Sequence, residues 1–379
     1  MFDPIKASKE IKDSYIDYIT TTFDMADTDY EREFRKELQT DGMVASGPFL
    51  DIGGSYETGH TLRELIQAQK ASVLFESLEP VAEKERELKL DRPLYQHQET
   101  AMLKAGKGEN LVITTGTGSG KTESFLLPII NHLLREQEAG TLSAGVRAII
   151  IYPMNALAND QMKRMRALFK NYPQICYGVY NGNTEHTQSK ALAEYHRTYH
   201  DETGEPTDPA PNEIISREVM QERPPHILIT NYSMLEYMML RPKDDAVFSG
   251  AKLKFIVLDE AHIYKGATGM ETSLLMRRLR ARISEPDSVQ YILTSATLGG
   301  PDADGDILSF AEKLCGVAFQ RSGIIRSTEK RPAMEDFLDF APALFEELQR
   351  SPDISSVLDR YHADFAPGGS EDEKLYALF

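Results

Sequence analysis

From Asp91 onward, short apolar runs alternate with segments in which apolar residues recur every three or four positions. Runs rich in Val, Ile, Leu and Phe predict buried strands, and the segments between them predict amphipathic helices. We predict six strands, over residues 110–114, 146–152, 176–180, 226–230, 254–259 and 290–295. All but the third are nearly continuous apolar runs, which is typical of parallel strands covered by helices on both faces. The pattern therefore predicts an α/β fold with a central parallel sheet.

The segments outside these strands have a different pattern. Residues 1–90 are rich in charge and carry apolar residues at helical spacing, so we predict a helical accessory region there. Residues 183–225 are polar and predict an inserted hairpin, helix or loop on the surface. Residues 326–379 are largely acidic and predict a helical tail or the start of a linker. The central domain is then predicted over residues 91–325.

The charge distribution limits the kind of nucleic-acid contact that the chain can make. The formal net charge is −17, with the acidic excess mostly in the outer segments and basic groups clustered at residues 163–166 and 277–282. Binding depends on a local basic surface rather than on the sum over the chain. The charge therefore disfavours indiscriminate coating of DNA but permits the binding of a single tracked strand.

Two absences in the sequence concern the compartment. No apolar run approaches the ~18–20 residues needed to span a bilayer. The two cysteines, Cys176 and Cys315, lie far apart and have no partners at metal-binding spacing. These features predict a cytoplasmic protein without a membrane partner.

Residues 115–122 have the composition of a phosphate-binding loop, Thr-Gly-Thr-Gly-Ser-Gly-Lys-Thr, between a predicted strand and a helix predicted from Lys121 to about Arg135. Glycines let backbone N–H groups turn towards phosphate oxygens, and the helix N-terminus adds its positive dipole. Lys121 is predicted to contact the β- and γ-phosphates and Thr122 to bind Mg²⁺. A glycine-rich turn with an incidental lysine is the alternative, and the strand–loop–helix setting disfavours it. The predicted nucleotide contacts here are Thr117, Gly118, Ser119, Gly120, Lys121, Thr122 and Glu123.

A second candidate for chemistry is the sequence Asp-Glu-Ala-His that ends the apolar run at residues 259–262. The carboxyl ends of parallel strands are where ligands bind in open α/β sheets. Asp259 is predicted to hold Mg²⁺, and Glu260 to orient and deprotonate the attacking water. His262 is predicted to sense the γ-phosphate or to contact the next motif. A solvated strand end is the alternative, and the preceding phosphate loop in the same predicted sheet disfavours it.

The order of these motifs resembles that of superfamily 2 DEAD/DEAH-box helicases. The two motifs above look like motifs I and II, and Thr-Ser-Ala-Thr at residues 294–297 looks like motif III. Thr115 stands where the usual phosphate-loop pattern begins with glycine. The sequence around residues 259–279 is similar to the bacterial MrfA-like and Lhr-like helicases of DNA repair and phage defence. The resemblance implies a RecA-like ATP-binding domain, ATP with Mg²⁺ as cofactors, and a coupling role for Ser295 and Thr297.

Three further segments carry the same resemblance. Residues 94–98 look like a Q motif, which implies that Gln98 reads the adenine and that Tyr95 stacks on it. Residues 152–158 look like motif Ia and residues 230–235 like motif Ib, which implies contacts to the backbone of one nucleic-acid strand. The implied contact residues are Pro153, Asn155, Ala156, Thr230, Asn231 and, beyond the Asp-Glu-Ala-His sequence, Lys265. Motif Ia usually has a basic residue where this chain has Met154 and Asn155, so one charge-assisted contact worth ~1–2 kcal/mol is in doubt.

The resemblance predicts the ATP-binding half of a DNA helicase or translocase. Motors of this type need two RecA-like domains, and an arginine finger from the second can contribute ~10³–10⁵ in rate. Only 82 residues (379 − 297) follow Thr297, so the second domain is expected in a longer chain or in a partner subunit. The chain alone is expected to bind ATP–Mg²⁺ weakly and to hydrolyse little.

Three functions remain open from the sequence. The first is strand separation or translocation on single- or double-stranded DNA, with RNA less favoured. The second is pumping of duplex DNA in a defence complex. The third is an ATP-switched subunit that binds nucleic acid and recruits partners, which the intact Glu260 disfavours because a switch has no need of a water-positioning carboxylate.

Overall fold

The computed structural model describes residues 4–23, 27–40, 42–46, 55–78, 88–116, 118–170, 172–200, 204–297, 299 and 301–330. The chain divides into two compact units, and the second runs from Ser55 to Lys330. The predicted acidic tail lies, from Arg331 onward, outside the described residues.

The described part of the first unit consists of two helices, α1 (Pro4–Thr22) and α2 (Thr28–Gln39). The Asp27 carboxylate caps α2 by accepting hydrogen bonds from the Asp29 and Tyr30 N–H groups, which would otherwise have no partner at a helix start. An ion pair between Arg35 and Asp17 joins the two helices. The described residues of this unit thus contain two helices, and the accessory role of the region stays a prediction.

The second unit is built on an eight-stranded parallel sheet with strand order β10-β3-β9-β8-β4-β7-β5-β6. A small antiparallel pair, β1 and β2, lies outside it. The strand bounds are β1 (Thr58–Thr61), β2 (Pro93–Tyr95), β3 (Leu111–Thr114), β4 (Ala148–Ile151), β5 (Tyr177–Tyr180), β6 (Glu213–Ile214), β7 (Ile227–Thr230), β8 (Phe255–Leu258), β9 (Gln290–Ser295) and β10 (Ile324–Arg326).

Helices cover both faces of this sheet. Their bounds are α3 (Leu62–Gln67), α4 (Gln96–Gly106), α5 (Lys121–Glu138), α6 (Asn155–Phe169), α7 (Gln188–Thr198), α8 (Arg217–Glu222), α9 (Tyr232–Leu240), α10 (Asp245–Ser249), α11 (Gly266–Arg282) and α12 (Asp304–Cys315). Successive strand residues alternate between two cores, with Ile150 packed in one and Ile149 and Ile151 in the other. Because side chains alternate between the two faces of a strand, each core lies on one face of the sheet. Helices α3 to α6 pack in the core on one face, and α9, α11 and α12 pack in the core on the other.

All six predicted strands are present in the sheet, and the predicted RecA-like α/β fold is confirmed. Two short strands, β6 and β10, were not predicted, and β6 brings the polar insertion of residues 183–225 into the sheet edge. The predicted boundary at residue 90 falls inside the second compact unit, because Leu62, Leu65 and Phe75 pack in the same core as the sheet. Among the described residues, no helix is long and apolar enough to cross a membrane.

Candidate functional site

The sheet brings the predicted motifs to one edge, because parallel strands end together. Thr114 pairs with Ser295, Leu258 with Leu293, and Ile151 with both Leu258 and Thr230. The residues that follow these strand ends therefore lie side by side at the carboxyl edge of the sheet, where open α/β sheets bind ligands.

The loop after β3 has a closed, glycine-dependent shape. Gly118 (φ +74°) and Gly120 (φ +72°) adopt left-handed conformations that favour glycine. The buried Ser119 hydroxyl lies 2.7 Å from the Thr115 hydroxyl and 2.8 Å from the Gly116 carbonyl oxygen. Thr115, the residue that departs from the usual pattern, thus helps to close the loop. The predicted contact Thr117 lies outside the described residues.

Lys121 begins α5, so the first backbone N–H groups of that helix face the loop. Its Nζ lies 3.1 Å from Glu260 Oε1, and both side chains are largely enclosed, with 12% and 24% exposed. Thr122 and Glu123 follow in the first turn, and Glu123 Oε1 accepts a hydrogen bond from Arg164 of α6. The phosphate loop and the predicted catalytic carboxylate are therefore in direct contact.

The two carboxylates after β8 have different environments. Asp259 is enclosed and accepts a hydrogen bond from the Thr294 hydroxyl. Burial raises the pKa of Asp259 above its usual range, and the charge of Glu260 adds to this, while Thr294 and Lys121 act in the opposite direction. Glu260 has φ +48° and ψ +49°, an unusual conformation for a residue with a side chain, of the kind that concentrates at functional sites.

The carboxylates are connected to the strand β9 through His262. His262 Nδ1 lies 3.0 Å from Ser295 Oγ and 3.4 Å from Glu260 Oε2. Ser295 Oγ also accepts a hydrogen bond from the Thr297 N–H at 3.1 Å. The predicted coupling residues Ser295 and Thr297 thus stand in one chain of contacts with the site of the carboxylates.

The oxygen atoms at this edge suit a hard divalent cation that is bound partly by the protein and partly by a ligand such as a nucleotide. Asp259 and Thr122 supply a carboxylate and a hydroxyl, the donor types that such cations prefer. Within the described residues, no group of three or more His, Cys, Asp or Glu could hold a metal ion by itself. A cation here would therefore need further oxygens from a nucleotide or water.

The predicted adenine contact, Gln98, is buried and bonded to the protein. Its Oε1 accepts from the Tyr95 N–H at 3.0 Å, and its Nε2 donates to the Gly120 carbonyl at 3.1 Å. His97 Nε2 lies 2.9 Å from the Ser119 carbonyl and its ring stacks on Tyr95, with ring centroids 5.6 Å apart. This segment therefore supports the phosphate loop directly, and the adenine contact stays a prediction.

Tyr56 is a neighbour of the site that the sequence did not indicate. Its ring packs edge-on against Tyr95 and His97. Its hydroxyl lies 3.1 Å from the position that a Cβ at Gly116 would take. No local signal points to Tyr56, because it precedes the loop by 60 residues (116 − 56) in a region without a motif.

The loops that look like motifs Ia and Ib are joined to each other. Asn231 Oδ1 accepts from the Met234 N–H at 2.8 Å and so caps α9, while its Nδ2 donates to Asn155 Oδ1 at 2.9 Å. Ala156 and Lys265 are exposed and Pro153 is half-buried. Thr230 differs from the expectation, because it is buried and donates its hydroxyl hydrogen to the Tyr180 carbonyl.

The basic clusters that could flank a nucleic-acid strand are largely held by the protein. Arg164 pairs with Glu123 and Arg166 with Glu213 on α6. On α11 the contacts are Arg277 with Ser273 and the Lys313 carbonyl, Arg278 with Glu236, Arg280 with Asp287, and Arg282 with Asp245. In this structure these arginines bind neighbouring side chains and carbonyl groups of the protein.

The central part of the chain matches a known protein family. A family model described as DEAD/DEAH box helicase matches residues 95–304. The Druantia protein DruE of Escherichia coli (strain UMEA 4076-1) is 34% identical over 86% of this chain and 22% of its own length. The uncharacterized ATP-dependent helicase YprA of Bacillus subtilis (strain 168) is 30% identical over 57% of this chain and 24% of its own.

The chain spans about a fifth of the length of these curated relatives. Among solved structures, the DEAD-box helicase Mss116 bound to ssRNA and UDP-BeF superposes with a TM-score of 0.53 at 17% identity. That likeness covers 82% of this chain and 55% of the Mss116 chain. At this level of identity it shows a shared fold.

Proposed function

Because the chain belongs to the DEAD/DEAH box helicase family, we propose that it forms the ATP-binding half of an ATP-dependent DNA helicase or translocase. The observation that carries this proposal is the contact of Lys121 with Glu260 at the carboxyl edge of the sheet. The loops of Asn155 and Asn231, which are hydrogen-bonded to each other, lie at the same edge. One edge of one sheet thus presents groups for phosphate, for water activation and for a nucleic-acid backbone.

In the proposed mechanism, the N–H groups of Gly118, Gly120 and the first turn of α5 bind the nucleotide phosphates. Lys121 exchanges its contact with Glu260 for a phosphate oxygen. Thr122 and Asp259 would hold Mg²⁺, which would neutralise charge on the phosphates.

Glu260, released from Lys121, then orients a water molecule and takes its proton. Glu260 Oε2 is enclosed and makes no hydrogen bond in the described part of the chain. This oxygen lies 3.4 Å from His262 Nδ1, and we propose that it also accepts a hydrogen bond from the water. His262 and Ser295 connect the same carboxylate to the loop that ends at Thr297.

Several parts of the proposal concern the larger protein. We propose that a second RecA-like domain, in a longer chain or a partner subunit, completes the site. Segments outside the compact unit Ser55–Lys330 would be accessory to the ATP-binding domain. DNA rather than RNA as the track and a role in DNA repair or phage defence rest on the resemblance to MrfA-like and Lhr-like helicases. A cytoplasmic location is proposed from the two unpaired cysteines and the lack of a long apolar run.

The experiment that tests the proposal is Glu260→Gln in the intact protein. Loss of the general base is expected to lower ATP hydrolysis by about 10²-fold or more, while nucleotide binding is retained because Gln cannot compete for Lys121 as an ion. ATP hydrolysis with single-stranded DNA, duplex DNA and RNA is measured beside nucleotide affinity.

Glu285→Gln, an exposed glutamate after α11, serves as the matched control and is expected to behave as wild type. Hydrolysis by Glu260→Gln at the wild-type rate would contradict the assigned base. If Glu260→Gln loses ATP hydrolysis but the intact protein keeps its biological activity, the result would favour the alternative function, an ATP-switched subunit that binds nucleic acid and recruits partners. Stronger stimulation by RNA than by DNA would contradict DNA as the track.

A further inference from the structure

Tyr152 lies beside Asp259 at the carboxyl edge of the sheet. β4 and β8 are parallel neighbours with Ile151 paired to Leu258, so the next residues on each strand stand side by side. The Asp259 N–H donates to the Ile151 carbonyl at 3.1 Å, and the Tyr152 N–H donates to the Thr230 carbonyl at 2.9 Å. Tyr152 is therefore placed between the metal-binding carboxylate and the loop that begins at Asn231.

The hydroxyl of Tyr152 is buried without a hydrogen-bond partner among the described residues. The side chain is only 1% exposed, and its oxygen makes no hydrogen bond. Burial raises the pKa of Tyr152 well above its usual range, and the charge of Asp259 acts in the same direction. A tyrosine hydroxyl has an ordinary pKa of about 10, so at neutral pH it carries a hydrogen that it can donate.

Tyr264 has similar features and lies in the core on the face of the sheet opposite to that of Tyr152. It follows the carboxylate by five residues (264 − 259), is 1% exposed, and its hydroxyl is also unpaired among the described residues. Burial and the charge of Asp259 both raise the pKa of Tyr264. Its ring packs edge-on against Tyr232 at the start of α9, with centroids 6.3 Å apart.

A buried hydroxyl without a partner is costly, since it has given up hydrogen bonds to water. Two such groups beside one carboxylate are explained if each gains a partner in the nucleotide-bound state. Their backbone and ring contacts lead to Thr230 and Tyr232, in the segment that resembles motif Ib.

We infer that Tyr152 and Tyr264 are positioning residues whose hydroxyls donate hydrogen bonds to Asp259, or to water bound to it, when Mg²⁺–nucleotide is in place. They would thereby tie the metal-binding carboxylate to the loops at residues 153–156 and 230–232. The inference rests on the proposed function, because it assumes that Asp259 binds the metal of a nucleotide.

The test replaces each hydroxyl without changing the ring, in Tyr152→Phe and Tyr264→Phe of the intact protein. Binding of a fluorescent ADP analogue is measured as MgCl₂ is titrated. We expect the Mg²⁺ concentration for half-maximal binding to rise about tenfold, as is typical when groups that orient metal ligands are removed. The melting temperature without nucleotide is expected to stay the same or rise, because an unpaired buried hydroxyl has been removed.

Tyr291→Phe is the matched control. Tyr291 lies in β9, is fully buried, and its hydroxyl is likewise unpaired among the described residues, but its pKa is raised by burial without a contribution from Asp259. It is expected to share the thermal behaviour and to keep the wild-type Mg²⁺ dependence.

Equal Mg²⁺ dependence in all three variants would overturn the inference alone, with the proposed function intact. A fall in melting temperature for Tyr152→Phe without nucleotide would also overturn it, since the hydroxyl would then be paired already. A wild-type protein without Mg²⁺-dependent nucleotide binding would overturn the proposed function and the inference together.

Discussion

At the residue scale, the buried amide of Gln98 orders the phosphate loop. Both of its polar atoms are used, one by the Tyr95 N–H and the other by the Gly120 carbonyl. A Cβ at Gly120 would overlap Gln98 Nε2, so the glycine is required by this contact as well as by its φ of +72°. The amide therefore fixes the loop just before Lys121 starts the helix.

Replacing Gln98 by Glu tests this role with almost no change of shape. A carboxylate oxygen would face the Gly120 carbonyl where an N–H now donates, so the contact becomes repulsive. We expect nucleotide affinity to fall about tenfold or more, which corresponds to ~1.4 kcal/mol. Binding is measured by calorimetry against Gln96→Glu, the same change at an exposed position in the first turn of α4. Unchanged affinity in Gln98→Glu would contradict the role.

The sequence predicts those parts of the site that lie in contiguous segments. Lys121, Asp259, Glu260 and His262 sit in local patterns whose chemistry can be recognised without a structure, and the fold brings them together. The contacts of Tyr56, Tyr152 and Arg164 depend on which strands and helices become neighbours. No local pattern carries that information, so these contacts could not be predicted.

At the element scale, the insertion at residues 183–225 is fastened to α6. Glu213 of β6 binds Arg166 through two oxygens, at 2.7–3.0 Å, in a buried pair whose arginine side chain is 22% exposed. The rings of Tyr195 and Tyr199 lie against the guanidinium, with centroids 5.3 and 4.3 Å away. The insertion thus holds the helix whose first residue is Asn155.

Breaking this ion pair from one side should be strongly destabilising. Glu213→Leu leaves an uncompensated charge in an enclosed site, for which we expect a loss of about 3 kcal/mol in the free energy of unfolding. Arg166→Met is expected to have a similar effect, and the double variant a smaller one than either, because no charge is left unpaired. Denaturant unfolding of the three variants checks this, and additive losses would contradict the pairing.

The strand β6 shows why the sequence did not predict every strand of the sheet. Five of the six predicted strands are nearly continuous apolar runs, which the sequence pattern detects. β6 consists of Glu213 and Ile214 alone, and it is a strand only because Tyr177 and Gly178 of β5 lie beside it. From the sequence alone Glu213 is expected at the surface, because its partner Arg166 is identified only in the folded structure. Both the formation of β6 and the burial of the Glu213 charge therefore depend on tertiary contacts.

At the scale of the whole molecule, two buried histidines connect stability to pH. The Cys176 N–H donates to His226 Nδ1 at 3.0 Å, and His226 Nε2 lies 3.2 Å from the Ser143 carbonyl, so the neutral ring with its hydrogen on Nε2 satisfies both contacts. Burial lowers the pKa of His226 below 6.5, and the charge of Arg147 adds to this. Burial likewise lowers the pKa of His97.

A histidine whose pKa is lower in the folded state binds protons more readily when unfolded. Its contribution to stability is therefore complete above pH 6.5 and is lost as the pH falls through the lowered values. We expect the free energy of unfolding to be level between pH 8 and 7 and to decline from about pH 6.5 downward. The double variant His97→Gln with His226→Asn should be less stable at pH 8 but flatter across this range, since neither replacement titrates. Denaturant unfolding at each pH measures both, with His200→Asn as an exposed control that should keep the wild-type slope. A wild-type slope in the double variant would show that other groups, and not these two rings, connect the folding of the sheet to protons.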